Sequence, residues 1–229
     1  MKVFVAGASG AIGQPLIAEL IRKGHTVAGM THSEAGAKRL REYGVEVAIA
    51  NAFDKGAVAA ALRASNAEAV IDELTSIPKT PSELPAYAER DQKLRIEGGG
   101  ILHEAALACG VRRYIQQSSG FFLDGKGALA DESSSLAVNA SPLIAGYAQM
   151  YAQLERRALE SSIEGVALRY GFFYGPNTWY APDGGTADQV RQQQFPVVEG
   201  GEAKWSFDHI EDAARVTVAA LTADPVNML

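Results

Sequence analysis

The sequence predicts an α/β chain, a doubly wound parallel sheet covered by helices on both faces, with a small C-terminal lobe. Three observations carry this expectation. Short apolar runs alternate with helical stretches along most of the chain, the pattern of strand–helix units whose right-handed crossovers build a parallel sheet. The first run, VFVAG, passes straight into a glycine-rich turn and then a helical pattern. The 229 residues, 47% apolar and 21% charged, suit one domain spanning 1–229 that buries roughly 70–75% of its unfolded surface.

The first strand begins at Val3 and runs into Gly7, Gly10 and Gly13, each separated from the next by two residues. Glycine permits positive φ and lets the backbone approach an anion. The helix that follows, residues 12–23, presents unpaired N–H groups and a partial positive charge. Strand, glycine turn and helix in that order are the context of a Rossmann-type dinucleotide site. Its cradle is Gly7, Ser9, Gly10, Ala11, Ile12 and Gly13.

The second strand, Thr26–Met30, follows Gly24, which caps the first helix. A helix over 34–43, a strand over 45–50 and an alanine-rich helix over 56–64 come next. AVIDEL, from Ala69, is the fourth strand; SIPKTPSELP, with its three prolines, is a loop. A long helix spans 85–108, weakened at its middle by glycines 98–100. RRYIQQSS is the fifth strand, residues 120–141 a polar loop, 142–162 a helix and GVALRYG the sixth strand. Ligands in such sheets bind beyond the carboxyl ends of the strands.

After the second strand stand Thr31, His32 and Ser33, with no carboxylate before Glu34. An acidic residue here would favour NAD through the ribose hydroxyls. Its absence tolerates a 2′-phosphate, which His32, Ser33 and, from the next turn, Lys38 or Arg39 can meet. NADP is therefore expected, with NAD as second choice, although His32 also reads as an exposed loop histidine. Asn51 and Ala52 fall where the adenine edge would lie, and Leu74 and Thr75 along the cofactor's middle.

Other classes recede. A net charge of −6 gives no general attraction to nucleic acid or an anionic membrane. The single cysteine, Cys109, excludes an intrachain disulfide, and none of the four histidines has metal-ligand spacing. No segment approaches the roughly 18 apolar residues of a membrane span. A core strand at the N-terminus leaves no room for a cleaved signal, so a cytoplasmic location is expected. The expected partner is a small-molecule substrate.

AGASGAIG, RYIQQSS, LRYGFFYGP and SFDHIEDAA together resemble the extended short-chain dehydrogenase/reductase superfamily, in its NAD(P)-dependent epimerase/dehydratase group, over essentially the whole chain. The resemblance implies a serine after strand five that holds the reacting hydroxyl or carbonyl, a tyrosine acid/base, and a lysine four residues later. Ser119 matches the serine, with Ser118 beside it as a substrate contact. Tyr147 matches the tyrosine, but Tyr151 stands in place of the lysine. Positions i and i+4 share a helix face, so Tyr151 still points at the cofactor without supplying a cation. A free tyrosine titrates about three units above neutrality, roughly 4 kcal/mol. Alternatively, the two rings simply pack a helix face. Arg95, in RIEGGG where the family commonly has Asn, reads either as a replacement cation or as a solvated helix residue; Lys93 lies out of phase.

In the last third, Tyr174, Gly175 and Pro176 match the family's turn beside the nicotinamide amide. Asn177, Thr178, Trp179 and Tyr180 follow; Trp179 either stacks on a substrate or plugs its own loop. Residues 172–208 are expected to form the substrate lobe, with a short hairpin before the final helix. Arg191 is the cation expected for a substrate pyrophosphate, Asp212 is expected to dock the final helix, and His209 belongs to the framework. The chain stops at ADPVNML, short of the family's usual substrate lobe, which suggests a reduced lobe or a truncated sequence. Relatives pair through the helices at 85–108 and 142–162, which implies a homodimer by analogy. Two functions follow. One is an NAD(P)-dependent oxidoreductase or epimerase/dehydratase transferring hydride to or from a sugar-like or other carbonyl/hydroxyl substrate. The other is a non-catalytic NADP(H)-binding sensor that has lost the proton-transfer apparatus.

Overall fold

The computed structural model describes residues 1–127, 129–197 and 199–223. The terminal residues 224–229, which include most of ADPVNML, lie outside them. Six parallel strands form the central sheet in the order β3-β2-β1-β4-β5-β6. They are β1 (Lys2–Ala6), β2 (Thr26–Thr31), β3 (Glu46–Ile49), β4 (Ala69–Asp72), β5 (Arg113–Ser119) and β6 (Glu164–Tyr170). β1 pairs with β2 on one side and β4 on the other. The chain thus reverses direction of growth at β1, opening a crevice at the carboxyl ends of β1 and β4.

The central strands β1 and β4 read as near-continuous apolar runs because helices cover both faces; Val3, Phe4, Val5 and Ala6 are fully buried. One face packs against α1 (Gly13–Arg22), α2 (Glu34–Glu42) and α8 (Ile210–Ala219), through Leu16, Ile17, Leu20, Leu40, Ala214 and Val218. The other packs against α3 (Lys55–Ser65), α5 (Gly99–Ala108) and α6 (Pro142–Leu159), through Val58, Leu62, Leu102, Ala106 and Ala158. Caps set the helix starts: Ser33 Oγ accepts from Gly36 N at 3.1 Å, and Asp54 Oδ1 from Ala57 N at 3.0 Å. Among the described residues no helix is long and apolar enough to cross a membrane.

The long helix expected over 85–108 forms, but in three pieces. α4 (Leu84–Lys93) runs through a π turn, Leu94–Gly98, into α5. The glycines fall at this break and make room for neighbouring groups. A Cβ on Gly99 would stand 2.7 Å from Arg157 Nη2 and 2.8 Å from Asp72 Oδ2, and one on Gly98 3.1 Å from the Ala52 Cβ.

The last third departs from expectation. In place of a hairpin, β7 (Phe172–Tyr174) and β8 (Phe207–His209) pair in parallel as a separate two-stranded sheet, with α7 (Gly185–Arg191) between them. The aspartate that docks this region is Asp208, whose Oδ2 accepts from Gly171 N at 2.7 Å. Asp212 is exposed and pairs with Arg215. His209 caps α8, its Nδ1 accepting from Glu211 N at 3.3 Å.

Candidate active site

The glycine turn is built against the end of β4. Gly7 has φ +78°, and a Cβ there would overlap the carbonyl of Glu73; one on Gly13 would overlap the Ala8 carbonyl and stand 2.7 Å from that of Gly7. Gly10 N donates to Gly7 O at 2.9 Å, which closes the turn. Gly10 is exposed and Ala11 half-buried at its mouth, while the Ile12 side chain is buried in the core. The backbone is thus bared where only glycine fits, above the N-terminus of α1, and a dinucleotide pyrophosphate suits this cradle. A bound nicotinamide dinucleotide would supply or accept hydride.

Sequence reasoning missed the second wall of the cradle. Ser9 Oγ and Thr31 Oγ1 hydrogen-bond at 3.0 Å. A Cβ on Gly36 would overlap that Thr31 oxygen and stand 2.9 Å from Ser9 Oγ. Gly36 therefore lets α2 approach the glycine turn, a requirement no local pattern reveals. His32 is exposed beyond β2, and Ser33 lends its oxygen to the cap of α2. Asn51 is exposed, its Oδ1 accepting from Phe53 N at 3.1 Å, and Ala52 is buried against Gly98 of the π turn. Leu74 and Thr75 are half-buried beyond β4, with Leu74 N donating to Asp72 Oδ1 at 3.1 Å.

Two buried carboxylates end β4. Asp72 accepts from the Tyr114 hydroxyl at 2.8 Å and faces Arg157 at 3.7 Å. Glu73 has only the Tyr170 hydroxyl, at 3.4 Å, and its Oε2 has no partner among the described residues. Burial, and then the neighbouring Asp72 charge, push its carboxyl up to about 8.

Tyr147 and Tyr151 share one face of α6, as their spacing requires. Both stack on Phe122, at centroid distances of 5.3 and 5.5 Å. Ser119, at the end of β5, lies beside the Tyr151 phenol and favours its ionised form. Burial outweighs this and holds the phenol above the usual tyrosine range, although the Arg95 charge opposes it. Arg95 is not a solvated residue. Carried inward by the π turn, it is 5% exposed. Its Nε donates to Asp91 Oδ2 at 2.7 Å and its Nη1 to Gln117 Oε1 at 2.8 Å, and its Cζ lies 5.5 Å from the Tyr151 ring centroid.

Other expected residues fall elsewhere. Ser118 points away from Ser119 and is 3% exposed, its hydroxyl donating to Glu155 Oε1 at 2.6 Å. Arg169 holds that carboxylate with two 2.8 Å bonds. This corrects its reading as a substrate contact: alternate residues of a strand face opposite sides of a sheet, and the Ser118 hydroxyl is buried with its one O–H donated to Glu155. Trp179 donates its Nε1 to the Pro78 carbonyl at 2.8 Å and ties its loop to the proline-rich segment. Arg191 is exposed and bound to Asp188 and the Pro182 carbonyl. Tyr174 is exposed and meets the His209 ring edge-on at 5.0 Å.

Beyond Ser119 lies an aromatic face of which the sequence singled out only the part contributed by the segment after β6, Tyr180 among it. Phe121 stacks on Trp205 at 5.0 Å and meets Phe172 at 4.7 Å; Tyr180 meets Phe207 at 4.9 Å and Phe172 at 5.7 Å. Phe121, Trp205 and Phe207 are 38%, 51% and 46% exposed, so rings on this face are available to a ligand. GFF directly after QQSS was the available signal, but Trp205 is far from it in sequence.

The model of the NAD dependent epimerase/dehydratase family matches residues 3–227. A 3-diazoavenalumate denitrifying reductase from a Streptomyces species is 38% identical over 231 aligned positions, covering all of this chain and 75% of the relative. A 4-hydroxy-2-methyl-3-oxo-4-farnesyl-3,4-dihydroquinoline-1-oxide ketoreductase from Stigmatella aurantiaca is 25% identical, covering 98% of this chain and 66% of the relative. Among solved structures, UDP-glucuronic acid 4-epimerase from Bacillus cereus, in complex with UDP-glucuronic acid and NAD, superposes with a TM-score of 0.76 at 21% identity. That match covers all of this chain and 75% of the other. UDP-glucose 4-epimerase from Thermus thermophilus, in complex with NAD, gives 0.72 at 23% identity, covering 97% and 75%.

Proposed function

Since the chain belongs to the NAD dependent epimerase/dehydratase family, we propose that it is a nicotinamide-dependent reductase whose substrate is a planar aromatic or conjugated small molecule. The carrying observation is the aromatic face of Phe121, Phe172, Tyr180, Trp205 and Phe207, which begins two residues past Ser119. Offset and edge-on ring contacts each contribute about 0.5–1.5 kcal/mol beyond area burial, and such a face favours a flat apolar ligand over a nucleotide-sugar. Arg191, the cation expected for a pyrophosphate, is committed to Asp188. Both sequence relatives are named as reductases, one of them for a dihydroquinoline oxide. Ser119 holds the reacting group, and the tyrosines of α6 supply the proton. NADP is the preferred cofactor: the nearest carboxylate, Glu34, is engaged by Arg41, and exposed His32, Lys38 and Arg39 flank the site.

The test follows consumption of NADPH and of NADH against aryl ketones, quinones and conjugated acids, with UDP-sugars in parallel. Turnover of an aromatic acceptor, with Trp205→Ala raising KM about tenfold while kcat changes less, supports the reading. Interconversion of a UDP-sugar with no aromatic turnover refutes it. Saturable binding of NADPH without turnover of any acceptor would instead favour the sensor. Titration of both dinucleotides into His32→Ala checks the cofactor; an unchanged preference excludes His32 as a phosphate contact.

A further inference from the structure

We infer that Arg95 is the positioning cation of the proton donor, and that the donor is Tyr151. The π turn that carries Arg95 is held open from outside. A π turn takes one residue more than an α turn and leaves carbonyls without their usual partners. Here Arg157 of α6 donates to the Arg95 carbonyl at 3.3 Å and the Ile96 carbonyl at 3.0 Å. Gly99 leaves the space that the Arg157 guanidinium fills.

The consequence is a guanidinium facing inward between α4, β5 and α6. A buried cation is tolerated only where it is partnered, and Asp91 and Gln117 supply the hydrogen bonds. Gln117 stands two residues before Ser119 on β5 and points to the same side of the strand. Arg95, Tyr151 and Ser119 thus form one group. The charged and titratable groups facing the Tyr151 phenol are Arg95 from the π turn, Asp91 from α4 and Tyr147 from its own helix. The Arg95 charge over this ring favours the ionised phenol and so opposes the burial that holds its titration up. Asp91 and Tyr147 act in the opposite sense.

The inference rests on the reductive reading. With hydride supplied by a bound reduced nicotinamide, the Tyr151 O–H bond would break and its proton would pass to the substrate atom that gains electron density. The phenolate keeps the bonding pair, and Arg95 stabilises it.

The experiment needs neither substrate nor cofactor, so its failure is separate from failure of the functional reading. Tyrosines are labelled at the ζ carbon with carbon-13 and titrated by NMR, with Tyr151→Phe assigning the resonance. In Arg95→Met the Tyr151 titration should move up by about one unit or more, and in Arg95→Lys it should stay near wild type. Asp91→Asn, which keeps Arg95 and removes the opposing charge, should move it down. A purely architectural role for Arg95 predicts no such opposed shifts. An unmoved titration in Arg95→Met overturns the inference. Should that variant not fold, an unmoved or upward titration in Asp91→Asn overturns it equally.

Discussion

Arg157 Nη1 on α6 donates to the Ile96 carbonyl at 3.0 Å, and its Nη2 to Gln116 Oε1 at 2.8 Å. One side chain thereby joins a helix, a π turn in its neighbour and the central sheet. Because Asp72 lies 3.7 Å from the same guanidinium, Arg157→Leu leaves a buried carboxylate and two carbonyls short of partners. We expect a loss of about 3 kcal/mol in urea unfolding. A loss below about 1 kcal/mol would show that the π turn holds its shape unaided.

Glu73 predicts an inverted pH dependence. Its carboxyl, near 4.5 in the unfolded chain, keeps its proton in the fold up to about 8. Across that window the folded state binds the extra proton, so this group's contribution to stability falls as pH rises. Glu73→Gln removes the penalty. Its advantage over wild type should grow by a few kcal/mol between about pH 5 and pH 8, measured by denaturant unfolding at both. Parallel stabilities at the two pH values would contradict the assigned shift.

Neighbouring serines should separate structure from chemistry. Ser118→Ala removes a bond to a buried carboxylate and should cost about 1–3 kcal/mol of stability with little change in kcat. Ser119→Ala should leave stability within about 1 kcal/mol and lower kcat/KM about a hundredfold. Equal effects of the two on turnover would reject the division.

Gly36 offers a test free of the usual helix argument. Alanine inside a helix is favoured over glycine by about 1 kcal/mol, yet a Cβ here meets Ser9 and Thr31. Gly36→Ala should weaken dinucleotide binding about tenfold by calorimetry. Unchanged affinity would mean that the glycine turn does not depend on this contact.

Local pattern determined much of this protein. The six strands and the glycine turn follow from periodicity and glycine spacing, the shared helix face of Tyr147 and Tyr151 from the i, i+4 rule, and the choice of Ser119 and Tyr147 from the family resemblance. These depend on neighbours in the chain, and neighbours are what a sequence displays. The inward turn of Arg95, the engagement of Ser118 by Glu155, the docking role of Asp208 in place of Asp212, and the gathering of Phe121 with Trp205 were decided by tertiary structure. Each depends on which groups meet across elements far apart in the chain. Whether a charge is buried or solvated depends on such partners, as the one between α6 and the π turn shows, and no local spacing encodes them.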